Sequence, residues 1–324
     1  MVTILSLDGG GIRGVIPAAV LEEIEKRTGR AVCSMFDYIA GTSTGGIIAC
    51  MLTVPGQNGR PRYTAREIKE LYIKLGGSVF KRSLLRRIFT LGGLTDSKYS
   101  SKTLEKYLGR YLGGARMSAA LAKVIIPAYE TNRAKPWFFK SAFARPDSPD
   151  CDNPPMKTAA RATSAAPTFF RPCRVGKNYC FIDGGLFANN PALCAYADAR
   201  RAYPNERDFL VVSLGTGVDI VKYSYRQLEK LGLLEWAPPL INILSNSASA
   251  TVDYQMRTLI GSERYFTFQV PLTRETGGMD NASRENIERL RVLAETLIRQ
   301  KSGVIDQLCR ILKERRPTLS GKSR

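Results

Sequence analysis

The tightest constraint on the fold lies in residues 2 to 55. Residues 2 to 8, VTILSLD, are apolar and β-branched and end at Asp8, the pattern of a buried strand. The glycine cluster GGGIRG follows, and then VIPAAVLEEIEKRTGR, whose apolar residues recur at helical spacing until Gly29 stops them. A second strand, FDYIAG, runs into GTSTGG, and GGIIACMLTV continues as a helix that Pro55 ends. Strands that alternate with helices through tight turns lie parallel, with the helices covering the sheet. The pattern therefore predicts an α/β fold on a mostly parallel sheet.

Later strands are expected over 123–130, 136–142, 178–183 and 208–217, and a helix leading into a turn over 160–170. From Asn281 to Arg316 the pattern is helical, with Asn281 or Ser283 as cap. The Pro- and Asp-rich stretch 145–155 reads as a surface loop, because strand signals resume beyond it. In SVFKRSLLRRIFTLGGL, 78 to 94, Phe80, Leu84, Leu85, Ile88 and Phe89 fall near one helical face with Lys81, Arg82, Arg86 and Arg87 opposite or flanking. Such a segment suits a membrane interface or lid, and it equally suits a helix packed on a core. The expected organisation is one catalytic domain, 1–275, with its motifs within about 2–217. C-terminal helices over 276–324 pack on that domain.

The chain has 324 residues, 44% of them hydrophobic, enough for a sizeable core. No run approaches the ~18 apolar residues of a membrane-spanning helix, and no secretory leader is visible, so a cytoplasmic protein is expected. Its net charge of +19 favours anionic partners: phospholipid headgroups, nucleotides or nucleic acid. A basic, solvated surface is the plainer account of the same charge. Seven scattered cysteines, no C-x-x-C pair and no histidine give no zinc site, and the thiols are expected to be reduced.

Gly41, Ser43 and Gly45 form a G-x-S-x-G between an apolar strand and a helix rich in small residues, where a nucleophile elbow must lie. There the helix's N-terminal amides can stabilise developing negative charge. With no histidine in the chain, the proton of Ser43 needs another acceptor. Asp183 is the candidate, since an apolar strand ends there and Gly184 and Gly185 let the backbone turn close to a neighbour. A carboxylate must be partly desolvated to act as a base near neutral pH, and it is a poor shuttle for expelling an amine. The pair therefore favours esters over peptides.

Gly9, Gly11 and Gly14 also fit G-x-G-x-x-G, the turn that holds a dinucleotide. Against that reading, the second strand ends at Ser43 and no acidic residue closes it, Asp37 lying near its start. The same loop can supply the oxyanion hole of an acyl-transfer site, with Arg13 placed to orient it or to attract a phosphate. A nucleotide-binding protein and a non-enzymatic, basic membrane-binding module are the competing classes.

DGGGIRG, GTSTG and DGG, in this order at strand ends, resemble the patatin-like phospholipases, and the resemblance continues through ARATSAAPTFF, DGGLFANNP and VVSLGTG. It implies a three-layer α/β/α fold and a lipid acyl hydrolase of phospholipase A type with a Ser-Asp dyad. In it Ser43 is the nucleophile and Asp183 the proton acceptor, while the amides of Gly9, Gly10 and Gly11 form the oxyanion hole beside Arg13. No metal and no cofactor are implied, and lysophospholipids or galactolipids are alternative substrates. A narrower resemblance, to the CapV-like bacterial effectors of antiviral defence, implies activation by a cyclic dinucleotide and peripheral association with the inner membrane when active. Membrane phospholipid is then the partner, nucleic acid is not expected, and a homo-oligomer is compatible.

Overall fold

Strand β1 (Val2–Leu7) is buried along its whole length, and so is β7 (Phe209–Leu214), its parallel neighbour. Strands covered on both faces need near-continuous apolar runs, which is what VTILSL and FLVVSL supply. The computed structural model describes residues 1–80, 97–141, 153–219, 224–273 and 275–315. Parallel to β1 on its other side lies β2 (Tyr38–Gly41), then β3 (Lys123–Glu130); β9 (Tyr265–Phe268) lies beyond β7. The remaining strands are antiparallel: β4 (Lys135–Lys140) and β6 (Tyr179–Asp183) both pair with β3, and β5 (Cys173–Val175) pairs with β6. A short parallel pair, β8 (Val218–Asp219) and β10 (Pro271–Leu272), stands apart. The sheet is thus mixed, with a parallel centre.

Helices cover both faces. On one side pack α1 (Val15–Thr28), α2 (Val32–Met35), α3 (Thr44–Thr53), α4 (Ala65–Val79), α5 (Ser101–Leu112) and α6 (Met156–Thr163). Their core takes Leu5, Leu7, Ile39 and Val212 from the sheet. The alternate residues Ile4, Tyr38, Ala40 and Val211 face the other way, with α8 (Ala192–Ala202) following the short α7 (Gly185–Ala188). Beyond β8 come α9 (Tyr225–Leu228) and the 28-residue α10 (Leu233–Ile260), whose Met256 joins this second core. Period-two alternation along β1 and β2 is therefore what divides the molecule into three layers.

The helical pattern expected over 281–316 forms two helices, α11 (Arg284–Gln300) and α12 (Ser302–Glu314), with Ser283 accepting from the Asn286 amide as cap. The break falls at Lys301, just before Ser302 and Gly303, a pair that gives a helix its easiest place to bend. Leu290, Leu297, Ile305 and Leu312 join the first core, and both helices pack on α1. The helix expected over 160–170 starts earlier, at Met156, and ends at Thr163. Most of the amphipathic segment 78–94 and of the loop 145–155 lies outside the described residues. Among the described residues no helix is long and apolar enough to cross a membrane.

One buried amide ties the layers together. Asn190, 2% exposed, accepts from Ser6 Oγ of β1 and the Ala192 amide, and donates to Ser213 Oγ of β7 and Asp253 of α10. Asn190→Ala leaves four polar groups short of a partner and should cost about 2–4 kcal/mol in urea denaturation. A loss under about 1 kcal/mol would show that the latch is dispensable.

Candidate active site

The register of β3 explains how two distant residues meet. Along one edge of β3, Tyr38–Ala40 of β2 pair with Lys123–Ile125, and Phe181–Asp183 of β6 pair with Ala128–Glu130. Because β4 occupies the opposite edge over 125–130, β2 and β6 share a row. One is parallel and the other antiparallel to β3, so the two strands run toward each other and their C-terminal ends converge. Ser43 lies just past the end of β2, and Asp183 is the last residue of β6. Ser43 Oγ donates to Asp183 Oδ2 at 2.7 Å.

Ser43 sits at φ 53°, ψ −119°, a left-handed conformation that costs a non-glycine residue about 1–3 kcal/mol. Its surroundings enforce it. The Ser43 amide donates to Thr163 Oγ1 at 2.9 Å, and Thr163 donates onward to the Pro127 carbonyl of β3 at 2.6 Å. Behind the serine, α3 presses against the end of β1: a Cβ on Gly45 would lie 2.2 Å from the Leu7 carbonyl oxygen. Gly41 and Gly45 permit this close packing, and Thr163 is a positioning residue that the sequence motifs did not reveal.

Asp183 is 5% exposed, and burial pushes its carboxyl up to about 6, opposed by hydrogen bonds from the Gly185 amide and the Ser43 hydroxyl. The Gly185 amide holds Oδ1 at 2.7 Å, leaving Oδ2 aimed at the serine. Gly184 lets the turn after β6 run against the Pro127 carbonyl.

The glycine loop after β1 lies beside this pair. The Gly9 amide donates to the Asn189 carbonyl at 3.1 Å, so it is not available to an oxyanion, contrary to the expectation for Gly9. Gly10 and Gly11 line the same cavity as Ser43 and Asp183, and their amides have no partner among the described residues. Gly11 adopts φ +60°, and a Cβ there would lie 2.1 Å from the Met279 carbonyl oxygen. Arg13 is buried; Nε donates to the Gly10 carbonyl and Nη1 to the Gly277 carbonyl. It thus braces the loop from behind, while Gly14 closes the 3₁₀ turn that leads into α1. Thr216, in the GTG after β7, donates to the Gly9 carbonyl, and the Ile12 amide donates to Met279. Thr216 lies in VVSLGTG without its task being legible there, and the segment 277–279 carries no motif.

The cavity above the pair measures about 250 Å³ and is walled by apolar side chains, among them Leu71, Leu75, Leu104, Leu108, Phe169 and Phe170. A polar floor under an apolar funnel suits a substrate with one ester and a hydrocarbon tail.

Comparison with known proteins agrees. The sequence model of the family described as "Patatin-like phospholipase" matches residues 5–196. Patatin-like protein 2 of Oryza sativa subsp. indica is 32% identical, the match covering 94% of this chain and 86% of the relative. Patatin-like protein 2 of Arabidopsis thaliana is 34% identical over 93% of this chain and 83% of its own. A Solanum tuberosum relative named "Probable inactive patatin-3-Kuras 1" is 32% identical over 93% and 87% respectively.

Two predictions arise from the geometry. Thr163→Val should lower kcat about tenfold with KM little changed, while Thr163→Ser keeps the rate, measured on a soluble ester. Asp183→Asn should abolish turnover yet stabilise the fold at pH 8. The reason is one of sign. A native pKa near 6 against an ordinary 3.8 means that the fold disfavours the ionised carboxyl, so the wild type loses stability as pH rises through this window. The variant escapes that loss, a gain of about 2–3 kcal/mol at pH 8 that shrinks toward zero near pH 4. Thermal unfolding at the two pH values checks it.

Proposed function

The chain belongs to the patatin-like phospholipase family, a family of lipid acyl hydrolases, and from that premise we propose that it cleaves glycerophospholipid esters through a Ser43–Asp183 dyad. The observation that carries the reading is the 2.7 Å hydrogen bond from Ser43 to a buried carboxylate at the base of an apolar cavity. One relative's name marks it as inactive, so the activity of this chain is argued from the pair itself.

The proposed sequence is as follows. Asp183 Oδ2 takes the Ser43 proton as Oγ attacks the ester carbonyl. The carbonyl oxygen, now negative, turns toward the Gly10 and Gly11 amides and the N-terminus of α3. As the tetrahedral intermediate collapses, Asp183 returns the proton to the departing alcohol. Water, activated by the same carboxylate, then releases the fatty acid and restores Ser43. A carboxyl near pKa 6 is basic enough to accept the proton near neutral pH and acidic enough to give it back. Expelling an amine would demand earlier and more complete protonation, which a single carboxyl supplies less readily than an imidazole. The apolar walls support a lipid over a polar ester, and the acyl chain is proposed to lie among Leu71, Leu104 and Phe170.

Activation by a cyclic dinucleotide in antiviral defence is the finer reading, and its support is the +19 charge. The small cavity behind the glycine loop, about 80 Å³, is lined by Asp8, Arg13 and Asp253, so it offers a dianion no excess of positive charge. Fatty-acid release from vesicles with and without a cyclic dinucleotide decides between a switched and an unswitched enzyme: release only with the nucleotide supports the switch, and equal release removes it.

Ser43→Ala should reduce fatty-acid release to background, a loss on the order of 10⁴-fold or more. Full release by this variant would sink the dyad assignment.

A further inference from the structure

The solvent face of α10 changes character along its length. Toward its C-terminal end this face continues as Ser247, Thr251, Tyr254 and Thr258, with exposed Arg257 and Leu259 beside it. Nearer its start it presents Leu240, Ile243 and Leu244, spaced i, i+3, i+4, with exposures of 46%, 38% and 44%. Half-buried Trp236 lies one turn ahead of Leu240 on the same face. Large aliphatic side chains left this open on one turn of helix lose hydrophobic stabilisation unless something covers them.

The patch is continuous with the mouth of the substrate cavity. Leu244 belongs both to the patch and to the cavity wall, and so does Leu186 on α7, 40% exposed, against which α10 packs. Across the cavity, α5 turns Leu104 and Leu108 inward and shows Lys102, Lys106 and Arg110 to solvent, a basic stripe at i, i+4, i+8. From α9 to the first turn of α10 the chain adds Arg226 and Lys230 but also Glu229 and Glu235, so this stretch contributes little field of its own. The long-range attraction comes from the stripe and from the net charge of +19.

We propose that the Trp236–Leu240–Ile243–Leu244 face of α10, together with Leu186, is the surface by which the enzyme docks on an anionic phospholipid bilayer, setting the cavity mouth against the lipid. This inference rests on the lipid-hydrolase reading. It adds to that reading the face that meets the membrane. Insertion at headgroup depth covers the aliphatic side chains, and Trp236 is suited to the boundary between apolar and wet surroundings. A phospholipid then enters the cavity without its tail crossing water.

The test uses the inactive Ser43→Ala chain and vesicles of equal parts phosphatidylcholine and phosphatidylglycerol. Trp137 and Trp236 are the two tryptophans of the chain, and Trp137 packs among Phe139, Tyr179 and Phe181 away from this face. In a Trp137→Phe background, Trp236 emission should shift to the blue as vesicles are added. Leu240→Asp with Ile243→Asp, neither of which lines the cavity, should weaken vesicle binding by about tenfold or more. In the Ser43 enzyme the same pair should lower vesicle hydrolysis to match, yet leave turnover of a soluble short-chain ester unchanged. That unchanged turnover also shows that the double variant is folded.

Unaltered vesicle binding by the double variant, or a Trp236 spectrum indifferent to vesicles, would overturn the docking face while leaving the hydrolase intact. A dimer that the double substitution splits, with vesicle binding unchanged, would assign the face to a second copy of the chain and likewise overturn it. Absence of ester turnover in the Ser43 enzyme itself, with vesicle binding that the double variant weakens, would instead count against the dyad and spare the docking face.

Discussion

A carboxylate is normally kept in water, and this fold keeps Asp183 out of it. The cost is set against two hydrogen bonds, from the Gly185 amide and the Ser43 hydroxyl, and they only partly offset it, which is why the carboxyl titrates near 6. Much of the architecture follows from holding that pair. β6 must run antiparallel so that its last residue arrives where β2 ends. β3 must be long enough for both strands to share one edge, and at eight residues it is the longest of the described strands. Thr163 must reach from α6 to pin the serine amide while bonding β3 itself, so helix, elbow and sheet move as one body.

The proposed oxyanion side is assembled by a different logic. Its loop belongs to β1, but its bonds run to Asn189, Thr216, Gly277 and Met279, contributed by three separate segments. Glycine supplies the shape and no stiffness of its own, because a glycine-rich loop has more freedom to lose on folding than any other. Contacts from remote turns remove that freedom in advance, and donors fixed before the reaction need no reorganisation during it. The turn after β7 and the segment before α11 thus support the proposed site, and Met279 of that segment also lines the cavity.

The parts legible in the sequence are those whose signal is local. β1, the glycine loop, α1, β2, Ser43 and α3 could be read in order, because each boundary is marked by a glycine, a proline or a change of period. Asp183 could be read because an apolar strand ends on it. The long helix α10 could not: Pro238 and Pro239 near its start and the run SNSAS at 245–249 resemble breakers, and packing on α7, α8 and β9 overrides them. Thr163 and Asn190 lie within ARATSAAPTFF and DGGLFANNP, yet their tasks could not be read, since a buried threonine or asparagine shows none until its partners, far along the chain, are known. Gly9 shows what a motif leaves out: the sequence offers three loop amides alike, and only the hydrogen bond to Asn189 shows that the first of them already has a partner.

Asp8 completes the electrostatic picture. It stands immediately before the glycine loop, 2% exposed, with Oδ1 lacking any hydrogen-bond partner. An ionised carboxylate there would oppose the negative charge that the neighbouring amides are placed to receive. Burial first, and the charge of Asp253 next, push its titration well above the ordinary range, against the pull of Ser249 and Arg13. Its surroundings therefore disfavour the ionised form, the one that would set a negative charge beside the glycine loop. Burial thus acts on both aspartates in the same direction: it lifts Asp183 to about 6, where it can exchange a proton, and it disfavours a charge on Asp8 beside the glycine loop.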